Sequence, residues 1–162
     1  MNKLSAHLFG LLRILLGSLF LWAFVDKVFG LGFSTLSGKA WINGVSPTAG
    51  FLKFGTRGPL ADFFQSLAGQ GWVDMLFMAG LLLIGLALIL GVAMHIACGM
   101  GAILMAFMFL ALLPPEHHPV LDEHVIYAVT MLALATSNAG DAWGLGKRWK
   151  KLPLVKRFSW LS

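Results

Sequence analysis

The sequence is poor in charged residues and in cysteine. Only 12% of its 162 residues are charged and 58% are hydrophobic, whereas soluble domains are about 25% charged. The mean hydropathy of +0.81 agrees with this imbalance. The single cysteine, Cys98, excludes an internal disulfide and a CxxC redox pair. The composition predicts an integral membrane protein, with residues 1–162 forming one domain and no separate soluble catalytic domain.

Acidic residues are also scarce near the end of the chain, where cations collect. Six of the twelve Lys and Arg residues lie in the last sixteen positions: Lys147, Arg148, Lys150, Lys151, Lys156 and Arg157. Because they follow a hydrophobic span, they fit the positive-inside rule better than nucleic-acid binding, and we expect no nucleic-acid partner. Aromatic residues alternate with these cations in residues 143–162, the basic tail, as is typical of a segment on an anionic leaflet.

Four apolar stretches predict four membrane spans, at about 8–30, 72–90, 96–113 and 122–139. Four spans with a basic tail place both termini in the cytoplasm of a bacterial or archaeal cell. The first span, Leu8–Gly30, carries Arg13 near one end and Asp26-Lys27 near the other. It is too long for a signal peptide and lacks a small-x-small cleavage site. Its charges must therefore snorkel, pair, or face a polar pocket inside the bundle.

The connection between the first two spans is too long and aromatic for a simple linker. Within it, Gly58–Gly69 predicts a short amphipathic helix, with Pro59 in the first turn and Gly69 at the end. Loops of this length are usually lids or binding loops. The predicted fold is an all-α membrane protein, a four-transmembrane-helix bundle with a long extracytoplasmic first loop that contains a short helix.

This topology brings three span ends to one membrane face, with the long loop as their cover. We expect Lys27 to point into the bundle and to pair with Asp74, Asp122 or Glu123. The enclosed pocket should be capped by aromatic residues, either Trp41 or the helix that carries Phe63 and Phe64. At the opposite face, we expect Arg13 and Asp141 to form a structural ion pair, directly or through water.

Three interpretations of the first face stay open. His117, His118 and His124 with nearby acids resemble a metal-ligand set, but their spacing matches no familiar zinc motif and we assign no metal. Alternatively, the site serves a membrane quinone, whose reduction needs two protons. The candidate catalytic residues are then Lys27, His124, Asp122 and Glu123, and the candidate cofactor-binding residues are Trp41, Asp74 and Phe63. His124 would then be the proton donor, oriented by Asp122 or Glu123. In the third interpretation, the charges only stabilise the bundle.

Three segments carry a resemblance to the DoxX/DoxD group of small four-helix membrane proteins. The first is LRILLGSLFL (Leu12–Leu21), an LR-x-x-LG-x-x-FL run followed by a lysine, Lys27, ten residues after its glycine. The second is NAGDAWGLG (Asn138–Gly146), which is similar to the group's closing Gly…Asp segment. The loop segment SPTAGFLKFGTRGPLADFF (Ser46–Phe64) also looks like the bacterial DoxX-type version.

The resemblance implies a membrane subunit of a quinone-linked oxidoreductase, with thiosulfate as the electron donor in DoxD-type proteins. It also implies an alternative, a non-catalytic scaffold or assembly partner in a redox-stress complex. The chain has no second domain like the small DoxA-type subunit and no cysteine pair, so thiosulfate chemistry would need a redox partner subunit or a bound cofactor. None of Lys27, His124, Asp122 and Glu123 matches an established catalytic motif of the group. Assembly into a homo-oligomer stays open.

Overall fold

The computed structural model describes residues 2–161, and this part of the chain contains helices and no strands. In chain order the helices are α1 (Lys3–Phe29), α2 (Ala49–Phe54), α3 (Ala61–Ser66), α4 (Gly71–Leu90), α5 (Met94–Ala111), α6 (Glu123–Ala135), α7 (Gly146–Trp149) and α8 (Pro153–Arg157). Short 3₁₀ turns connect several of them, including Trp41–Asn43, Gly58–Leu60, Ala139–Asp141 and Ser159–Leu161. The predicted all-helical fold is confirmed.

Three of these helices, α1, α4 and α5, are long and apolar enough to cross a membrane. Their bounds lie close to the first three predicted spans. The fourth prediction, 122–139, fares differently. Helix α6 has 13 residues, which corresponds to about 20 Å at 1.5 Å per residue. A hydrocarbon core is about 30 Å thick, so α6 by itself is short for a span.

The helices pack in sequential pairs. Helix α1 lies along α4, α4 contacts α5, and α5 packs along α6. Small residues allow the close approach that membrane helices favour. A Cβ atom on Gly85 would lie 2.7 Å from Leu21 Cγ, at the α1–α4 contact. The core between the helices consists of buried apolar side chains, among them Leu16, Phe20, Met78, Leu81, Ile84, Leu88, Met94, Cys98, Met131 and Leu134.

The bundle has two ends that differ in their polar contacts. At one end, which we call the terminal end, Arg13 in the first half of α1 contacts Leu88 and Ile89 near the end of α4. It also contacts Ala139, just after α6. The first half of α1 and the ends of α4 and α6 therefore meet there. The opposite end, which we call the loop end, holds the end of α1 and the starts of α4 and α6.

The segment between α1 and α4 folds over the loop end and is attached to it. The predicted helix at Gly58–Gly69 corresponds to the 3₁₀ turn Gly58–Leu60 and α3. Leu52 of α2 and Phe64 of α3 form a small apolar cluster with Ala111, the last residue of α5. The backbone N–H of Arg57 also donates to the Ala111 carbonyl at 3.1 Å. The segment is thus a folded cover for the loop end.

Candidate functional site

Arg13 is completely buried at the terminal end, and backbone carbonyls surround its guanidinium. Nε donates to Ala139 O at 3.2 Å, Nη1 donates to Leu88 O and to Ile89 O, the latter at 2.8 Å, and Nη2 donates to Ala142 O at 3.1 Å. The last carbonyls of a helix lack partners within the helix and carry partial negative charge. Arg13 therefore joins the end of α4 to the segment after α6.

Asp141 takes a different partner from the one predicted. Its carboxylate lies 3.1 Å from Lys150 Nζ, and Lys150 also donates to Asn138 Oδ1 at 2.8 Å. The structure does not bring Arg13 and Asp141 into a direct ion pair, because carbonyls occupy the guanidinium and Lys150 occupies the carboxylate. Asp141 instead fastens the basic tail to the turn after α6.

At the loop end, Asp26 is a buried acceptor for the chain that follows α1. Its carboxylate accepts from Ser34 N at 3.0 Å, from Ser34 Oγ at 2.7 Å and from Phe33 N at 3.3 Å. These bonds hold residues 30–35 against the end of the helix. Asp26 is thus a structural residue that fixes the start of the cover.

Asp74, predicted to bind a cofactor and to pair with Lys27, is also occupied by the cover. Its Oδ1 accepts from Ser46 Oγ at 2.8 Å and from Thr48 Oγ1 at 2.5 Å. The residue lies in the first turn of α4, where a negative charge also favours the helix N-terminus. Its two short hydroxyl contacts make Asp74 an anchor for residues 46–48.

Asp122 and His124 form a dyad at the start of α6. His124 Nδ1 lies 2.8 Å from Asp122 Oδ2, and the two side chains are only 14% and 12% exposed. Asp122 Oδ1 accepts from the backbone N–H groups of His124 and Val125, so the same carboxylate caps the helix. Because a carboxylate accepts hydrogen bonds, Nδ1 is the imidazole nitrogen whose N–H donates to Asp122. The other nitrogen, Nε2, is then the one that can exchange a proton with a ligand.

Lys27 is half-buried near the end of α1. Within residues 2–161 no acidic side chain lies within 4 Å of its ammonium, so the predicted pairing with Asp74, Asp122 or Glu123 is not formed. The reason is local, since Asp74 and Asp122 are engaged by other donors and Glu123 is exposed. A half-buried cation without an ion pair therefore remains at the loop end.

Chain geometry places Lys27 and His124 at similar depth. Lys27 follows Arg13 by fourteen helical residues, which is about 21 Å. Helix α6 ends near Ala139, which Arg13 contacts, and its 13 residues cover about the same distance from there back to the start of the helix. The topology therefore brings these two protonatable side chains to the same end of the bundle.

The aromatic residues predicted as a lid have separate positions. Trp41, in the 3₁₀ turn Trp41–Asn43, is partly buried and packs on the core beside α1. Phe64 is buried in the cluster with Leu52, whereas Phe63 is 56% exposed. Of the two phenylalanines, Phe64 therefore belongs to the cover's own core. An open depression of about 710 Å³ lies beside the end of α1, lined by residues 30–32 and 36–39, and includes none of the predicted site residues.

One further contact, outside the predicted set, ties the cover to the α5–α6 connection. Arg57 forms an ion pair with Glu116 and donates from Nε to Leu112 O at 3.2 Å. The hydrogen bond and the positive charge of Arg57 hold the pKa of Glu116 below its ordinary value. The sequence shows the acidic side chains but does not reveal their partners. The partners that were not predicted are Ser34, Ser46, Thr48, Arg57 and Lys150.

Within residues 2–161, the possible metal ligands are limited to one cluster of residues that are neighbours in sequence. Asp122, Glu123 and His124 offer ligand atoms within 4.8 Å of one another. Asp122 already accepts three hydrogen bonds as the α6 cap and the His124 partner. The geometry therefore favours an oriented imidazole at this position over a metal centre.

Comparison of the chain with models of protein families, with curated proteins and with solved structures finds no match in any of the three.

Proposed function

We propose that the protein is an integral membrane subunit of a quinone-linked oxidoreductase, and that its loop end supplies protons to the quinone. The observation that carries the proposal is the largely buried Asp122–His124 dyad, in which the carboxylate orients the imidazole. The apolar surfaces of α1, α4 and α5 support contact with a bilayer, where a lipid-soluble quinone resides. On this proposal, the segment 122–139 completes four crossings of a bacterial or archaeal plasma membrane, with both termini in the cytoplasm.

The proposed chemistry is the reduction of a quinone to a quinol by two electrons and two protons. The electrons come from a redox partner subunit, since the lone thiol of Cys98 is completely buried and has no second cysteine. Thiosulfate is the proposed donor to that partner: two thiosulfate ions give one tetrathionate and two electrons. Asp122 stabilises the His124 imidazolium, which passes one proton from Nε2 to a quinone oxygen. His124 then takes up a second proton from solvent and passes it to the other quinone oxygen.

Lys27 has a second role in this proposal. Its ammonium is half-buried at the same end of the bundle and makes no ion pair within residues 2–161. A cation in such a position stabilises negative charge that develops on a quinone oxygen as electrons arrive. Trp41 and Phe63 are proposed as neighbours of the quinone ring, and Glu123 as the exposed acid that takes up protons from solvent.

The test uses the complex isolated from native membranes through an affinity tag on this chain. Thiosulfate-dependent reduction of a soluble quinone analogue is measured for the parent, for His124→Gln and for His117→Gln. His117 is an exposed histidine in the connection before α6 and serves as the matched control. We expect His124→Gln to lower turnover about 100-fold, the lower range for loss of a general acid, while His117→Gln leaves it unchanged. Full activity of His124→Gln would refute the assignment.

A non-catalytic scaffold is the second candidate, and one observation favours it. Arg13, Asp26, Asp74 and Asp141 all take part in internal hydrogen bonds or ion pairs that hold the fold together. In a scaffold, the loop end would hold a partner without handling protons. The two candidates separate in the same preparation, because a scaffold predicts that His124→Gln retains both the partner and the activity, whereas the proton-donor assignment predicts that it retains the partner and loses the activity.

A further inference from the structure

We propose that the basic tail is a binding surface for anionic phospholipid headgroups. This inference concerns the terminal end of the bundle and is independent of the proposed quinone chemistry at the loop end. Its basis is a combination of fixed structure, uncompensated positive charge and exposed aromatic and aliphatic side chains in residues 143–161.

The tail is folded onto the bundle. The Leu145 N–H donates to the Leu90 carbonyl at the end of α4, at 2.8 Å. Trp149 Nε1 donates to Leu161 O at 2.5 Å, which closes residues 149–161 into a loop. Val155 of α8 is only 3% exposed. Since these contacts hold both short helices, their outward side chains have a defined placement relative to the membrane helices.

The charge of this surface is positive and almost uncompensated. Residues 142–162 contain no acid, and Asp141 is the nearest one along the chain. Lys150 pairs with Asp141. In the described part of the tail the other cations have no acidic side chain within 4 Å, and all five are exposed: Lys147, Arg148, Lys151, Lys156 and Arg157.

Apolar side chains are exposed among these cations. Trp143 is 61% exposed and has a φ of +56°, a left-handed conformation that is costly for a bulky residue. The tail exposes further apolar residues in the same segment: Leu145, Leu152, Leu154, Phe158 and Trp160. Tryptophan and leucine enter the headgroup region of a bilayer while lysine and arginine meet lipid phosphates. This composition fits an anionic lipid surface better than a free soluble anion, because a small anion makes no contact that would bury the exposed apolar side chains.

The test measures lipid binding by the full chain in a neutral detergent, with native mass spectrometry. Phosphatidylglycerol and phosphatidylcholine with identical acyl chains are compared for the parent and for Lys147→Gln/Lys151→Gln. The control is Lys39→Gln/Lys53→Gln, which removes two exposed lysines from the cover. A separate arm adds inorganic phosphate as a competitor at the same concentration as the headgroups, in order to distinguish a lipid site from a phosphate site.

We expect the parent to prefer phosphatidylglycerol, and high salt to weaken that preference. The tail variant should lose about 30-fold in phosphatidylglycerol affinity, which corresponds to two basic residues at about 1 kcal/mol each. Its phosphatidylcholine affinity, and both affinities of the control, should stay unchanged. Lys147→Arg/Lys151→Arg keeps the charge and should bind like the parent, which also shows that substitution at these positions leaves the fold intact.

Three results would overturn the proposal. The first is equal binding of both lipids by the parent, which would leave the tail cations for an acidic protein partner. The second is an equal loss of phosphatidylglycerol affinity in the tail and control variants. The third is full competition by inorganic phosphate, which would make the surface a site for a soluble anion.

Discussion

The two ends of the bundle manage buried charge in opposite ways. At the terminal end a cation, Arg13, binds backbone carbonyls that helix ends leave without partners. At the loop end two anions, Asp26 and Asp74, bind hydroxyl groups from the chain segment that covers them, and Asp26 binds backbone N–H groups as well. The first arrangement ties membrane helices to each other, whereas the second ties a cover to the helices. We therefore expect the terminal end to determine whether the bundle forms and the loop end to determine how it is covered.

The largest effect is expected at Arg13. Arg13→Met would leave buried carbonyls without donors, and we expect a loss of about 3–5 kcal/mol of unfolding free energy, because each buried acceptor left without a donor costs about 1–3 kcal/mol. Thermal unfolding in detergent measures the change. Arg13→Lys keeps the charge but cannot reach all the carbonyls, so it should fall between the parent and Arg13→Met. A stable Arg13→Met protein would mean that the terminal end does not hold the helices together.

A smaller and more local effect is expected at Asp74. Asp74→Ala removes the acceptor for Ser46 and Thr48, and hydrogen bonds to charged groups contribute about 1.5–3 kcal/mol each. We expect the cover to loosen while the helices remain packed, so trypsin should cut more quickly after Lys53. Asp62→Ala, at an exposed acid of α3, is the matched control. Equal cleavage rates in both variants would contradict the anchoring role.

Lys27 should contribute little to stability. It makes no ion pair within the described chain, so Lys27→Met removes a half-buried charge and leaves no acid without its direct partner. We expect the unfolding free energy to change by about 0.5 kcal/mol or less, the range for positions without a special contact. A large loss of stability would show that Lys27 is structural and would place a hidden acidic partner near it.

The smallest effect is the pH dependence of the Arg57–Glu116 pair. The pKa of Glu116 is held below its ordinary value of 4.5 in the folded protein. A carboxylate with a lowered pKa contributes stability that is complete above that ordinary value and disappears as the pH falls through the lowered one. Glu116→Gln should therefore remove part of the acid-induced release of the cover, measured by proteolysis below pH 4.5. An identical acid profile in parent and variant would contradict this linkage.

Sequence reasoning located most of the helices because hydropathy and length are local properties. The stretch Trp72–Leu90 predicts α4 to within one residue, and the predicted third span, 96–113, ends two residues after α5 does. The partners of the charges do not follow from the sequence in the same way. Residue types reveal Coulomb attraction, so the sequence predicts acids as the partners of Arg13 and Lys27. The structure gives Arg13 backbone carbonyls, whose positions depend on where helices end and meet.

For the candidate site, the sequence predicts which residues are present but not which partners they bind. Asp122 and His124 lie two residues apart before an apolar stretch, which predicts an oriented imidazole but not that Asp122 also caps α6. The sequence does not indicate that Asp74 accepts hydrogen bonds from Ser46 and Thr48, since those residues lie 28 and 26 positions away in an irregular segment. Because Asp74 binds the cover, the candidate site consists of the Asp122–His124 dyad and Lys27.

The most direct test of the central claim is the position at which a quinone binds. A photoreactive quinone analogue is activated in native membranes, and the labelled peptides are mapped by mass spectrometry in the parent and in Asp122→Asn/His124→Gln. The account predicts labels at the loop end, near the end of α1 and the start of α6, and their loss in the double variant. Labels confined to the terminal end, or equal labelling of parent and double variant, would contradict the claim that the Asp122–His124 dyad serves a quinone.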